Sequence, residues 1–84
     1  MPDVHERAGW TKVKRGTFPG NLRSRRKYQG LTQAQLAARL HSTQSRVSEW
    51  EHDKSQPSLE QFRLLAEILD VSMTVLLLGA EGRT

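Results

Sequence analysis

The stretch TQAQLAARLHSTQSRVSEWE, residues Thr32–Glu51, predicts two short helices joined by a tight turn. Thr32 and Gln35 fit a capping box at the start of the first helix, where a hydroxyl and an amide satisfy two backbone N–H groups. The residues HST at 41–43 interrupt the apolar spacing, and Thr43 can cap a second helix over Gln44–His52.

Apolar side chains in this stretch are spaced so that the two helices can share a seam. Leu36 and Leu40 fill it from the first helix, and Ala37 is small enough to let the second helix cross closely. Val47 and Trp50 fill it from the other side. Two such helices form a helix-turn-helix, which presents its second helix to the major groove of DNA.

The outward face of the second helix supplies the candidates for reading bases. If Val47 and Trp50 face inward, the residues that face outward are Gln44, Ser45, Arg46 and Glu49. Glutamine pairs with adenine, arginine with guanine, and a carboxylate accepts from cytosine. Arg46 is the strongest single candidate, whereas Glu49 has two alternatives, orienting Arg46 or lying in solvent. Ser48, on the flank, is a candidate for a phosphate contact.

The rest of the chain is predicted to be helical with short breaks. A basic helix spans Asn21–Gln29 and ends at Gly30, a residue suited to a helix C-terminus. A second capping box, Ser58 to Gln61, opens a helix that carries an apolar stripe to Leu69.

Residues 71–78 fit two structures. Ser72 can cap a short helix that ends before Gly79. The alternation of Val71, Met73 and Val75 with polar residues also fits a strand. The expected fold is therefore all-α, a compact bundle of four or five helices, with a short helix at 71–78 and a strand as the alternative.

Length and composition restrict the class of protein. The 84 residues suffice for one small domain, which we place at 19–79, after a basic, partly ordered arm at 1–18 and before a tail at 80–84. The chain has no cysteine, which excludes disulfides and cysteine-bound zinc. It has no apolar run of membrane-spanning length. We find no catalytic set, metal-ligand spacing or cofactor motif, and we expect a cytoplasmic protein that is not an enzyme.

Positive charge is concentrated in the first half of the chain. Residues 1–48 carry ten Lys and Arg against two acidic residues, whereas residues 49–84 carry three against seven. Such a basic half indicates a polyanionic partner, most simply nucleic acid. In a helix-turn-helix bound to DNA, the first helix and the loop after the reading helix flank the DNA backbone. The basic residues of these two segments are therefore phosphate candidates: Arg23, Arg25, Lys27 and Lys54. In the arm, Lys12, Lys14 and Arg15 are candidates for a minor groove.

Three linked segments resemble the phage-repressor/Cro-like (XRE) helix-turn-helix family. They are LRSRRKYQGLTQAQLAARL at Leu22–Leu40, TQSRVSEWE at Thr43–Glu51 and KSQPSLEQFRLLAEIL at Lys54–Leu69. The resemblance covers about residues 20–79 and implies a lambda-repressor-like bundle. The sequence departs from the family at His41 and Asp53, where a residue with positive φ is needed and glycine is common.

The resemblance also implies roles for individual residues. Gln33 is implied to bind a phosphate and to brace the first residue of the reading helix. Thr32, its neighbour at the start of the same helix, is a phosphate candidate with it. Arg26 and Glu51 are implied to form a partly buried ion pair that holds the reading helix against the first helix.

These observations predict a sequence-specific regulator that binds double-stranded DNA. We expect a repressor that binds an inverted repeat as a homodimer, in the cytoplasm and on the nucleoid of a bacterial or phage system. One alternative is an antitoxin that also binds a toxin, which a strand at 71–78 would favour. Another is a protein-interaction module that has lost DNA binding.

Overall fold

The computed structural model describes residues 17–79, which form five helices and no strand within that range. The helices are α1 (Phe18–Tyr28), α2 (Gln33–Arg39), α3 (Gln44–Glu51), α4 (Leu59–Leu69) and α5 (Met73–Leu78). This confirms the all-α, lambda-repressor-like bundle in its five-helix form. The arm residues Lys12, Lys14 and Arg15 and the tail at 80–84 lie outside the described residues.

Local caps determine where four of the helices begin. The capping boxes predicted at Thr32 and Ser58 are both formed, each with a glutamine three residues later. Thr43 accepts a hydrogen bond from the amide of Arg46, and Ser72 accepts one from the amide of Val75. Each cap satisfies an amide that the helix itself leaves without a partner.

Helix α1 begins at Phe18, three residues before the predicted start at Asn21. Pro19 stands in the first turn, where its fixed φ suits a helix and its missing N–H costs nothing. The Phe18 ring meets Phe62 of α4 edge to face, with 5.4 Å between ring centroids. Sequence spacing could not show this contact between residues so far apart in the chain.

The strand alternative at 71–78 is wrong, because Met73–Leu78 is a helix. The Ser72 cap starts the helix, and Leu76 points inward and is fully buried. Asn21 of α1 donates a hydrogen bond of 2.9 Å from Nδ2 to the Leu76 carbonyl, which fastens α5 to α1.

The core is built from one to three apolar residues of every helix, together with two leucines that lie between helices. Its members are Leu22, Leu31, Leu36, Ala37, Leu40, Val47, Trp50, Leu65, Ala66, Leu69 and Leu76. Helix α3 packs against both α1 and α2, and α5 packs against α1 and α4. The reading helix is therefore held on two sides, and its remaining face is left to solvent.

Three turns require a left-handed backbone at a residue other than glycine. Within residues 17–79 these residues are His41, Asp53 and Asp70, with φ of 56°, 58° and 58°. His41 and Asp53 are the two positions at which the sequence departs from the family pattern. Their left-handed conformation shows that the turns form without glycine. No helix among the described residues is long and apolar enough to cross a membrane.

Candidate nucleic-acid interface

Helices α2 and α3 are joined by the tight turn that the sequence predicts. The amide of Ser42 bonds to the Ala37 carbonyl at 2.9 Å and closes the end of α2. Leu36, Ala37, Val47 and Trp50 are all buried in the seam between the helices. The pair is a helix-turn-helix, and α3 occupies the position of its reading helix.

A buried ion pair anchors α3 to α1. Arg26 donates from Nε to Oε2 of Glu51 at 2.6 Å and from an Nη atom to Oε1 at 3.1 Å. Its other Nη atom donates to the Leu31 carbonyl at 2.8 Å. Both residues are buried, Glu51 completely. Because water does not reach these two charges to solvate them, each is compensated by the other. The structure thus contains the Arg26–Glu51 pair that the resemblance implies.

Gln33 carries this arrangement outward to the surface. Its Nε2 donates to Oε1 of Glu51 at 3.0 Å, and its Oε1 accepts from Nε2 of Gln44 at 3.3 Å. A carboxylate only accepts hydrogen bonds, so Glu51 decides which end of the Gln33 amide faces it. The Gln33 oxygen then decides the orientation of the Gln44 amide. We call this series, Arg26–Glu51–Gln33–Gln44, the hydrogen-bond chain.

The exposed face of α3 forms a polar groove, lined by Gln44, Ser45, Ser48, Glu49, His52 and Lys54. At 3.6 residues per turn, Ser45 and Glu49 lie opposite the buried Val47 and Trp50. Of the four predicted base-reading residues, the groove brings together Gln44, Ser45 and Glu49. Arg46 is exposed but does not line the groove.

Glu49, at the centre of the exposed face, contacts the loop that follows α3. Ser55 donates from Oγ to Oε1 of Glu49 at 3.1 Å. The amide of Lys54 bonds to the Glu49 carbonyl at 2.8 Å, which folds the loop back against the helix. Glu49 is exposed and has Ser55 as a hydrogen-bond partner, and its role in reading a base stays a prediction.

The phosphate candidates are spread over several surfaces. Lys54 and Ser48 line the groove, Lys27 is exposed on α1, and Arg23 is half-buried. The hydroxyl and the amide of Thr32 are both engaged with Gln35 in the capping box.

Arg25 lies apart from the other candidates. It donates from Nε to the Leu69 carbonyl at 3.0 Å, and its guanidinium lies 4.4 Å from the centroid of the Tyr28 ring. Because a second nitrogen also reaches the Asp70 carbonyl at 3.4 Å, Arg25 serves to close the end of α4. We leave it out of the proposed interface.

Sequence reasoning missed two residues of this site, His52 and Ser55. His52 follows Ser45 and Glu49 on the same helical face, at a spacing of seven and three residues, so helical periodicity could have found it. Its Nδ1 lies 2.8 Å from the Ser48 carbonyl. Ser55 contacts Glu49 because the loop after α3 folds back against the helix, and no local sequence pattern predicts that. Within residues 17–79, no three His, Cys, Asp or Glu side chains are grouped to hold a metal ion.

Comparison with known proteins is consistent with this geometry. A family profile described as "Helix-turn-helix" matches residues 22–76. The HTH-type transcriptional activator BcrR of Enterococcus faecalis is 33% identical over 64 residues, which are 76% of this chain. The chain spans only 31% of the length of that relative.

Two solved structures show the same arrangement of helices. A complex of the P22 c2 repressor with a synthetic operator superimposes with a TM-score of 0.71 at 28% identity, over 75% of this chain and 96% of that one. The restriction-modification controller protein C.AhdI from Aeromonas hydrophila gives a TM-score of 0.66 at 32% identity, over 70% and 86% of the two chains.

Proposed function

Because the chain belongs to the phage-repressor/Cro-like (XRE) helix-turn-helix family, we propose that it regulates transcription by reading a specific sequence of double-stranded DNA. The repressor-type fold of this family is a DNA-binding fold and carries no catalytic role itself. The observation that carries the proposal is the hydrogen-bond chain, which orients the Gln44 amide before any DNA is present. A side chain held in one orientation loses less conformational freedom on binding and discriminates more sharply between bases.

In this proposal α3 enters the major groove with its polar groove facing the base edges. The Gln44 amide has its second N–H and its carbonyl oxygen left for an adenine. Ser45, Glu49 and Arg46 reach neighbouring bases. Backbone phosphates are bound by a surrounding set of polar and basic residues: Thr32, Gln33, Ser48, Lys54, Lys27 and Arg23.

We further propose that two copies bind an inverted repeat. An apolar surface lies beside the loop that follows α3, with Leu59 75%, Leu77 50% and Leu78 65% exposed. Leu59 and Leu77, together with Phe18 and Phe62, line a groove of about 240 Å³. A protruding leucine beside an apolar groove is self-complementary, as a two-fold interface requires. In this proposal the two α3 helices meet half-sites about 34 Å apart, one helical turn of DNA.

Repression is the regulatory outcome that we propose, through occupation of a promoter that polymerase must enter. The P22 c2 protein is named a repressor, and BcrR is named an activator, so both outcomes occur among similar proteins. A promoter–reporter assay distinguishes them, since a repressor lowers reporter output when its site overlaps the promoter. A regulator of this kind acts in the cytoplasm, on the nucleoid.

The two alternatives have less support. Dimerisation through paired strands, which would indicate an antitoxin, requires a strand at 71–78, and this segment is a helix. Co-purification with the product of an adjacent gene tests whether a toxin partner exists. An interaction module without DNA binding leaves the fixed Gln44 amide unexplained.

The test of the proposed function is selection from a random pool of about 30 base pairs, long enough for two half-sites. It is done at about 150 mM salt, where non-specific phosphate binding is weak. The expected result is a palindromic consensus that the double variant Gln44→Ala/Arg46→Ala no longer selects. If the wild type enriches no sequence, or if the double variant binds as well as the wild type, the proposal is wrong.

A further inference from the structure

We propose that Glu49 selects a cytosine in each half-site and that Ser55 is the residue that positions it. This inference rests on the proposed function, because it identifies one base that the same surface reads. It starts from an unusual feature of that surface, a carboxylate at the centre of a face that meets a polyanion. On the DNA, the groups that can favour a carboxylate there are hydrogen-bond donors on a base edge.

The major groove offers donors on two bases. Adenine presents its N6 amino group between two acceptors, its own N7 and O4 of the paired thymine, whereas the N4 amino group of cytosine has an acceptor, O6 of the paired guanine, on one side only. A carboxylate has acceptors only, so the lone pair of N7 repels it. The charge and hydrogen-bonding capacity of Glu49 therefore select cytosine over adenine.

The contact with Ser55 makes this selection possible without a large entropic cost. The Ser55 hydroxyl donates to Oε1 of Glu49 at 3.1 Å, and the loop itself is tied to α3 by the bond from the Lys54 amide to the Glu49 carbonyl at 2.8 Å. Oε2 is the oxygen that this arrangement leaves for the base. A glutamate on a solvent-exposed helix otherwise samples several rotamers, and binding must then restrict them.

The charge of Lys54, in the same groove, gives Ser55 a second effect. A carboxylate that is free to rotate can turn toward the ammonium group of Lys54 and away from the bases. The hydroxyl of Ser55 holds the carboxylate in place, and Lys54 then stays available for a phosphate. Ser55 is thus a positioning residue, which acts on the base through Glu49.

The experiment compares the consensus that each variant selects from the random pool. The wild type is expected to select a C·G pair at one position of each half-site. Glu49→Ala is expected to lose the preference at that position alone, by about tenfold, the effect of one good base contact. Glu49→Gln is expected to change the preferred base from cytosine to adenine, because an amide both donates and accepts.

The role of Ser55 is tested by a matched set in the same loop. Ser55→Ala is expected to weaken the preference at the cytosine position, and Ser55→Thr to restore it, because threonine keeps the hydroxyl. Gln56→Ala, at an exposed neighbour in the loop, is the control and is expected to select the wild-type consensus. A purely structural role of Ser55 would lower affinity for all sequences equally and would leave the base preference unchanged.

A test on the DNA avoids any effect of mutation on folding. N4-methylcytosine uses its remaining N4 hydrogen in the base pair, so it has none for Glu49. Placed at the selected position, it is expected to weaken wild-type binding but to leave Glu49→Ala unaffected. If Glu49→Ala still selects cytosine, or if Ser55→Ala keeps the full preference, this inference is wrong and the proposed function stands. If the wild type selects no consensus, the proposed function itself fails.

Discussion

Gln44 donates from Nε2 to Oε1 of Gln33 over 3.3 Å, and this bond connects the exposed face of α3 to the buried ion pair. Gln33 in turn donates to Glu51. The orientation of an exposed amide is therefore decided by a carboxylate in the core. Base preference and folding stability share residues in this domain, and the two properties can be separated by experiment.

The first prediction concerns the coupling of Gln33 to Gln44. Gln44→Ala is expected to reduce discrimination at one base by about 1–3 kcal/mol, and Gln33→Ala by part of that amount. The double variant is expected to discriminate no worse than Gln44→Ala, which gives a coupling energy of at least about 0.5 kcal/mol. The measurement is the ratio of Kd values for the cognate and the altered site. Strictly additive effects would contradict the hydrogen-bond chain.

The second prediction concerns the buried ion pair. Arg26→Ala leaves the Glu51 charge buried with no compensating charge, and it is expected to cost about 3–5 kcal/mol of stability. For a domain of this size the melting temperature then falls by about 10 °C or more, as followed by circular dichroism. Arg63→Ala is the control, since its bonds to Glu60 and Glu67 are exposed. Equal melting curves for Arg26→Ala and the wild type would show that the pair does not stabilise the fold.

The third prediction concerns salt. Lys54→Ala is expected to lower the magnitude of the slope of log Kd against log salt by about 0.9, the contribution of one phosphate contact. Arg63 is again a suitable control, because its hydrogen bond with Glu60 and the charges of Glu60 and Glu67 raise its pKa and offset its charge. Arg63→Ala is expected to leave the slope unchanged. A wild-type slope for Lys54→Ala would place that residue away from the backbone.

The fourth prediction concerns the apolar surface around Leu78. Leu78→Asp is expected to bind a single half-site as the wild type does but to lose cooperative binding to the inverted repeat, because two charges would meet at the two-fold axis. Tyr28→Asp, which is 74% exposed on α1, is expected to retain cooperativity. Sedimentation of each protein with a fluorescent inverted repeat reports how many protomers bind. Two protomers of Leu78→Asp on that DNA at wild-type concentrations would locate the interface elsewhere.

The fifth prediction concerns the turn of the helix-turn-helix. His41 has a φ of 56°, which costs a residue with a Cβ atom about 1–2 kcal/mol, whereas glycine loses about 0.5–1 kcal/mol in chain entropy. His41→Gly is therefore expected to raise the free energy of unfolding by about 0.5 kcal/mol, and His41→Val to lower it. Urea denaturation measures both changes. A His41→Gly variant that is less stable than the wild type would show that the imidazole has a role of its own.

Elements defined by local contacts could be predicted from the sequence, and contacts between distant residues could not. The caps at Thr32, Thr43, Ser58 and Ser72 each involve residues three positions apart, so a short pattern contains all of their chemistry. The sequence of residues 71–78 fits a strand as well as a helix. The burial of Leu76, which accompanies the helix, depends on residues far away in the chain and cannot be read from this segment alone.

The candidate site divides in the same way. Helical spacing identified Gln44, Ser45, Arg46 and Glu49 as an exposed set, and only a resemblance pointed to Arg26 and Glu51. The charge of Arg25 suits a phosphate contact, yet its guanidinium donates to a carbonyl at the end of α4, more than forty residues away in the sequence. The sequence gives the charge of a basic residue but does not reveal which groups its side chain contacts in the fold.

The hydrogen-bond chain has a consequence for engineering new DNA preferences into this scaffold. It reaches the exposed face at Gln44 alone, whereas Ser45, Glu49 and His52 line the same groove outside it. A combinatorial library that varies these three positions can alter the target sequence while the network that sets thermal tolerance stays intact. Diversity introduced at the fully buried Glu51 would instead fill such a library with clones that fail to fold.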